Sequence, residues 1–128
     1  MSDTIDIEKK KSTPRIQFFP DTGSLLIEGE SYPENATAFY GPVIRRIEEY
    51  LGNSKTGIDL DIKLLYINTS SSKALLMLFD MLEEAHSKGL SSRVRWFYDE
   101  ENELACEIGE DLSYGLKLPF SIEPAGQA

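Results

Sequence analysis

Cysteine and histidine are almost missing from this chain: Cys106 and His86 are the only ones in 128 residues. One thiol closes no internal disulfide, and one Cys with one His falls short of a structural zinc set. Cations are scarce too, with Lys+Arg 13 against Asp+Glu 22 and a formal net charge of −9. That deficit removes the phosphate attraction on which nucleic-acid binding rests, and it disfavours an anionic membrane as partner. No apolar run approaches the roughly 18 residues of a membrane span, and the N-terminal MSDTIDIEKKKSTP lacks the apolar core of a signal peptide. The expected compartment is the cytoplasm, so the sequons at Asn35 and Asn68 count as chance. Neither G-x-x-x-x-G-K nor G-x-G-x-x-G occurs, and there is no internal repeat.

What is present suits one globular domain, 41% hydrophobic and 27% charged. Residues 1–13, polar and carrying Lys9-Lys10-Lys11, read as a flexible tail, 14–123 as a single regulatory-sized domain, and 124–128 as a loose end. Arg15 to Phe19 and Ser24 to Glu28 flank Pro20-Asp21-Thr22-Gly23 and should pair as an antiparallel hairpin. Ser31 and Glu34 stand at capping-box spacing with Pro33 between them, which predicts a helix start there. Phe39, Val43, Ile47 and Leu51 form its stripe, Gly41-Pro42 should kink it, and Gly52-Asn53 should stop it.

Ile58 to Asn68 reads as the central strand. Ile58, Leu60, Ile62, Leu64 and Tyr66 share one face, with Asp59, Asp61 and Lys63 on the other. Lys73 to Lys88 is the clearest helix, with Leu75, Leu76, Leu78, Phe79 and Leu82 as its apolar stripe. In Arg93 to Asp99, Arg93 and Arg95 oppose a face holding Val94 and a core Trp96, and they should meet Asp59 and Asp61 across neighbouring strands. A weak acidic helix from Asn102 to about Leu112, interrupted by Gly109, and a strand from Leu118 to Ile122 complete the order. Strand-helix-strand crossovers are parallel, so the expected fold is α/β: a mixed sheet with a parallel centre and an antiparallel edge hairpin, helices mainly on one face.

The functional signal sits where Leu64-Leu65-Tyr66-Ile67 gives way to Asn68 and then Thr69-Ser70-Ser71-Ser72-Lys73. One Ser or Thr oxygen suffices to cap a helix, so four hydroxyls are a surplus. The plain reading is an over-provided cap; the sharper one is phosphorylation of Thr69 or a neighbour. Carboxyl ends of parallel strands share one edge, which would gather Glu30, Ser31, Asn68, Thr69, Ser70, Asp99 and Glu100. A phosphate there would gain from first-turn amides and Lys73 and would face the surrounding carboxylates.

Enzyme-like coincidences carry less weight. Ser70-x-x-Lys73 and Lys55-Thr56-Gly57 match penicillin-binding motifs, but in reversed order and in too short a chain. Asp99-Glu100-Glu101 with Glu103 reads as a solvated run rather than a cation site, so no metal, cofactor or catalytic residue is expected. Two competitors remain: a small enzyme or ligand-binding module using Asp99, Glu100 and Ser70 at the carboxyl edge, and a dimer formed through the Asp59, Asp61, Arg93 and Arg95 face.

GESYPENATAFY at Gly29 to Tyr40, LLYINTSSSKALL at Leu64 to Leu76 and WFYDEENE at Trp96 to Glu103 occur in that order. With Gly109-Glu110-Asp111 and Leu118-Pro119-Phe120 behind them, they resemble the SiaC family of bacterial biofilm-regulating phosphoproteins, from about Ser12 to Ile122. The resemblance implies a fold like the STAS-type anti-sigma-factor antagonists. It also implies a threonine phosphorylated by a Ser/Thr kinase and dephosphorylated by a PP2C-like phosphatase, the unphosphorylated form binding and activating a diguanylate cyclase to raise cyclic di-GMP. Carried onto this chain, that threonine is Thr69. Asn68, Ser70, Ser71, Ser72 and Lys73 would flank it in the partner interfaces, with Ser31, Tyr32, Glu34 and Asn35 as neighbouring surface.

Overall fold

In the computed structural model, which describes residues 4–125, the elements run β1 (Ile5–Ile7), β2 (Arg15–Phe19), β3 (Ser24–Ser31), α1 (Ala36–Asn53), β4 (Asp59–Ile67), α2 (Thr69–Ser87), β5 (Arg93–Tyr98), α3 (Glu103–Ser113) and β6 (Phe120–Pro124). One sheet holds the six strands in chain order, antiparallel from β1 to β3 and parallel from β3 to β6. Each helix therefore carries the chain one strand along in the same direction, and the helices cover a single face.

That face is the core. Ile16, Phe18, Leu25, Ile27, Leu60, Ile62, Val94 and Trp96 point into it at alternate positions, packed under Val43 and Ile47 of α1 and Leu75, Phe79 and Leu82 of α2. The opposite face stays wet and carries the predicted pairs. Asp59 lies beside Arg93 at 3.4 Å, and Arg95 grips both oxygens of Asp61 at 2.7 and 2.8 Å.

Four expectations are corrected. The stretch read as a flexible tail contains β1, where Ile5 pairs with Phe18 and is 6% exposed and Ile7, on the same face, pairs with Ile16 and packs against the core, so two isoleucines hold this three-residue edge strand on β2. The Ser31–Glu34 capping box does not form. β3 continues to Ser31, whose side chain turns into the core, and α1 begins only at Ala36, capped by the Asn35 side chain on the Ala38 amide at 3.0 Å. α2 begins at Thr69 rather than Lys73, so the hydroxyls lie inside the helix. Finally, Tyr66 does not share the buried face of Leu64. The pairing Gly29 to Leu64 is followed by Glu30 to Tyr66, so Leu65 has no partner on β3. This bulge reverses the alternation: Leu65 and Tyr66 are 60% and 50% exposed, and Ile67 turns inward. Gly29, at φ 125°, supplies the backbone conformation beside it.

Proline at 42 does not interrupt α1, and β6 starts two residues later than the pattern suggested. Before β6, the Glu83 carboxylate on α2 accepts the Lys117 and Leu118 amides, all at 3.0 Å, clamping the α3–β6 loop to α2. α3 lies on β5 through Gly109, where a Cβ would come within 2.7 Å of Trp96 Cδ1, while the indole Nε1 donates to the Ala105 carbonyl at 3.0 Å.

Two predictions follow from this packing. Gly109→Ala forces the indole off its seat and should lower unfolding free energy by about 1–3 kcal/mol in urea titration. The amide hydrogen bond from Leu118, helped by that from Lys117, holds the Glu83 carboxyl below its ordinary value. A depressed folded-state pKa contributes stability above the unfolded value near 4.5 and loses it as pH falls through the folded one. Glu83→Ala should therefore lower the melting temperature at neutral pH, and the gap to wild type should close on acidification below that value.

Candidate functional site

The first turn of α2 is built by Asn68. Its side chain accepts the Ser71 amide at 2.8 Å, and its backbone carbonyl accepts from Ser72 at 3.0 Å, so the capping side chain is Asn68 and not a hydroxyl. The over-provided cap is therefore not what the hydroxyls form, and they divide by direction instead. Thr69 and Ser70 face solvent, Ser72 is half-buried and Ser71 is fully buried.

Ser71 ends a buried relay. The Ser31 hydroxyl donates to Ser71 Oγ at 2.7 Å and lies 2.6 Å from the Tyr40 hydroxyl. A serine has one proton to give, so with Ser31 donating to Ser71 the phenol must donate to Ser31. Burial pushes the Tyr40 phenol up to about 12, against the opposing pull of the Ser31 and Ser71 hydroxyls. The phenol thus remains a donor throughout the physiological range. This relay ties the end of β3, the second turn of α1 and the first turn of α2 together beneath the exposed Thr69.

Of the residues expected on the partner surface, Thr69, Ser70, Lys73, Glu34 and Asn35 are exposed. Ser31 and Ser71 are each 0% exposed and support that surface from below instead of lying on it. Tyr32 is half-buried, edge-on to Tyr66 with ring centroids 5.6 Å apart. The Asn68 amide donates to the Ser31 carbonyl at 2.9 Å, which brings the β3 and β4 ends together as the parallel sheet requires.

The β5 end reaches this edge by a residue the sequence had not singled out. Asn102 caps α3 through the Ala105 amide at 3.1 Å while its Nδ2 donates to the Leu65 carbonyl at 3.0 Å. In the acidic run beside it, Asp99 uses a carboxylate oxygen to accept the Glu101 amide at 2.9 Å. Among the described residues no group of three His, Cys, Asp or Glu side chains is placed to hold a metal. Nor is any described helix long and apolar enough to cross a membrane. Tyr40, Asn102 and the outward Leu65 were missed. Three helices each preceded by Asn, at 35, 68 and 102, were the available signal for the caps.

Comparison with known proteins places this site in a context. The profile of the SiaC family regulatory phosphoproteins matches residues 7–125. A Pseudomonas aeruginosa protein described as uncharacterized is 42% identical over 123 residues, 96% of this chain and 97% of its own length. The crystal structure of apo-SiaC from Pseudomonas aeruginosa superposes with a TM-score of 0.90 at 40% identity, over 96% of this chain and 99% of that one. The structure of the diguanylate cyclase SiaD in complex with its activator SiaC, from the same organism, matches at TM-score 0.90 and 40% identity, over 94% and 98%.

The relay makes its own prediction. Tyr40→Phe removes the only donor to Ser31 in that chain and should cost about 1–2 kcal/mol in urea titration. The Ser31-to-Ser71 bond survives this change, so amide exchange at Ser71 and Ser72 should stay close to wild type, whereas Ser31→Ala, which removes that bond, should accelerate it.

Proposed function

The chain belongs to the SiaC family of regulatory phosphoproteins, and on that premise we propose that it is a non-enzymatic partner-switching regulator toggled at Thr69. A Ser/Thr kinase phosphorylates Thr69 and a PP2C-like phosphatase removes the phosphate. The unphosphorylated protein binds and activates a diguanylate cyclase in the cytoplasm, raising cyclic di-GMP and promoting biofilm aggregation.

The observation that carries this reading is Thr69 itself. It stands exposed as the first residue of a helix whose N-cap is supplied by Asn68, so its hydroxyl is not needed for the cap. A phosphate at that position would sit on the positive end of the helix dipole, one turn before Lys73, and would add about two negative charges. The resulting change is local, at the surface formed by Asn68, Ser70, Ser72, Lys73, Glu34, Asn35 and the ring of Tyr32. Support also comes from the 40% identical relative, crystallised as the activator bound to its cyclase.

Mass spectrometry of protein from the native host, with and without the kinase, should find phosphate on Thr69; phosphate confined to another residue would refute the assignment. In titration with the cyclase, Thr69→Ala should bind like wild type and Thr69→Asp more weakly. Equal affinities for the two variants would contradict the electrostatic mechanism.

A further inference from the structure

Between the first halves of α1 and α2 lies a groove of about 460 Å³ that opens beside Ser70. Its floor is largely apolar, formed by Ala36, Tyr40, Ile44 and Ala74, and Met77 rises on the α2 side 58% exposed. Two cations flank it, Arg45 from α1 and Lys73 from α2. Neither takes part in the ion pairs found among the described residues, which engage Lys88, Arg93 and Arg95. Glu34 is the one carboxylate lining the groove. In a chain with net charge −9, an apolar cleft bordered by two cations outside those ion pairs is a local inversion of charge.

Both features select the same occupant. Exposed Met is favoured where a surface must adapt to a partner, and burying it releases water from apolar area. Lysine and arginine on the walls favour a carboxylate and orient it, while an acidic protein surface around them repels the wrong approach. The groove is also continuous with the proposed switch: Ser70 lines it, and Lys73 lies four residues after Thr69 on the same helix.

Resting on the reading of Thr69 as the switch, we infer that this groove receives an apolar segment of the cyclase whose carboxylate docks between Arg45 and Lys73. Phosphate on Thr69 then acts twice. It draws the Lys73 ammonium one turn back toward itself, and it presents like charge to the incoming carboxylate.

The test is titration of the full-length chain with the cyclase at two salt concentrations, using variants at exposed positions that the fold tolerates. Met77→Asp should weaken binding about tenfold or more. Lys73→Glu and Arg45→Glu should each weaken it severalfold and flatten the salt dependence, because each removes an attractive charge pair. Tyr114→Ser, on the distant α3 end, should bind like wild type. If Met77→Asp and Lys73→Glu bind normally while phosphorylation of Thr69 still abolishes binding, the groove assignment is wrong and the switch stands. Failure of the unphosphorylated wild type to bind the cyclase sinks both. A free nucleotide that saturates the groove, read from the Met77 methyl signal, with cyclase binding indifferent to Met77→Asp, reassigns it to a small ligand and overturns the proposal.

Discussion

The hydrogen bond from the Ser71 amide to the Asn68 side chain decides what the rest of the site can be. A helix start must satisfy several amides that have no partner within the helix, and serine or threonine would ordinarily do this. Asparagine supplies that side-chain acceptor here, for the Ser71 amide at 2.8 Å, so none of the four hydroxyls is needed as the N-cap. One of them, Ser71, is then carried by the helical turn to the core side, where it needs partners of its own and finds Ser31 and, beyond it, Tyr40. Thr69, two positions earlier and on the opposite side, is left in solvent. Once the helix starts at Thr69, two residues of helical rotation set the exposed hydroxyl and the buried one on nearly opposite sides.

The bulge at Leu65 works on the same edge by a different route. Without an extra residue, strict alternation would place Tyr66 in the core with Leu64 and turn Ile67 out to water. The slip turns Tyr66 outward beside Leu65, brings Ile67 inward, and leaves the Leu65 carbonyl away from the β5 ladder, whose pairing with β4 ends at Lys63. A backbone carbonyl in that position calls for a donor, and Asn102 provides it. The cap of α3 and the irregularity of β4 are thus joined by one side chain, which fixes the start of α3 relative to the start of α2. Tyr32 stacking edge-on to Tyr66 closes the surface on the β3 side.

Much of this was legible in the chain. Alternation in Ile58 to Leu64 and in Arg93 to Trp96 identified the core face. It also predicted the pairs of Asp59 with Arg93 and Asp61 with Arg95, because parallel neighbours in register place like positions on like faces. The parallel centre followed from the order of strands and helices. Misreadings arose where tertiary structure overrides local pattern. Ser31 and Glu34 have the spacing of a capping box, yet Ser31 is claimed by the relay to Tyr40 and Ser71, partners far away in sequence. Gly109 argued against a helix on propensity; its lack of a side chain is what seats α3 on the Trp96 ring. A bulge adds one residue without changing composition, so nothing in Leu64-Leu65-Tyr66-Ile67 announces it. In the site, the motif pointed to Thr69, but no periodicity separates Thr69 from Ser71; only the position of the cap does.

Net charge alone cannot account for a switch of this kind. Two further charges would take the chain from −9 to about −11, a small relative change, and at physiological salt its influence decays over about 8 Å. Whatever a phosphate on Thr69 governs must therefore contact the protein within roughly two helical turns of that residue. Within that radius the helix offers Ser70, Ser72 and Lys73, and beyond one turn the exposed Leu76 and Met77. A cation beside apolar contacts is sensitive to a nearby dianion, because the two charges lie within a screening length of each other while the apolar area supplies affinity that is indifferent to salt. In the proposed switch, one phosphate on a strongly acidic protein with few cations suffices because one of those few, Lys73, lies a single turn from it.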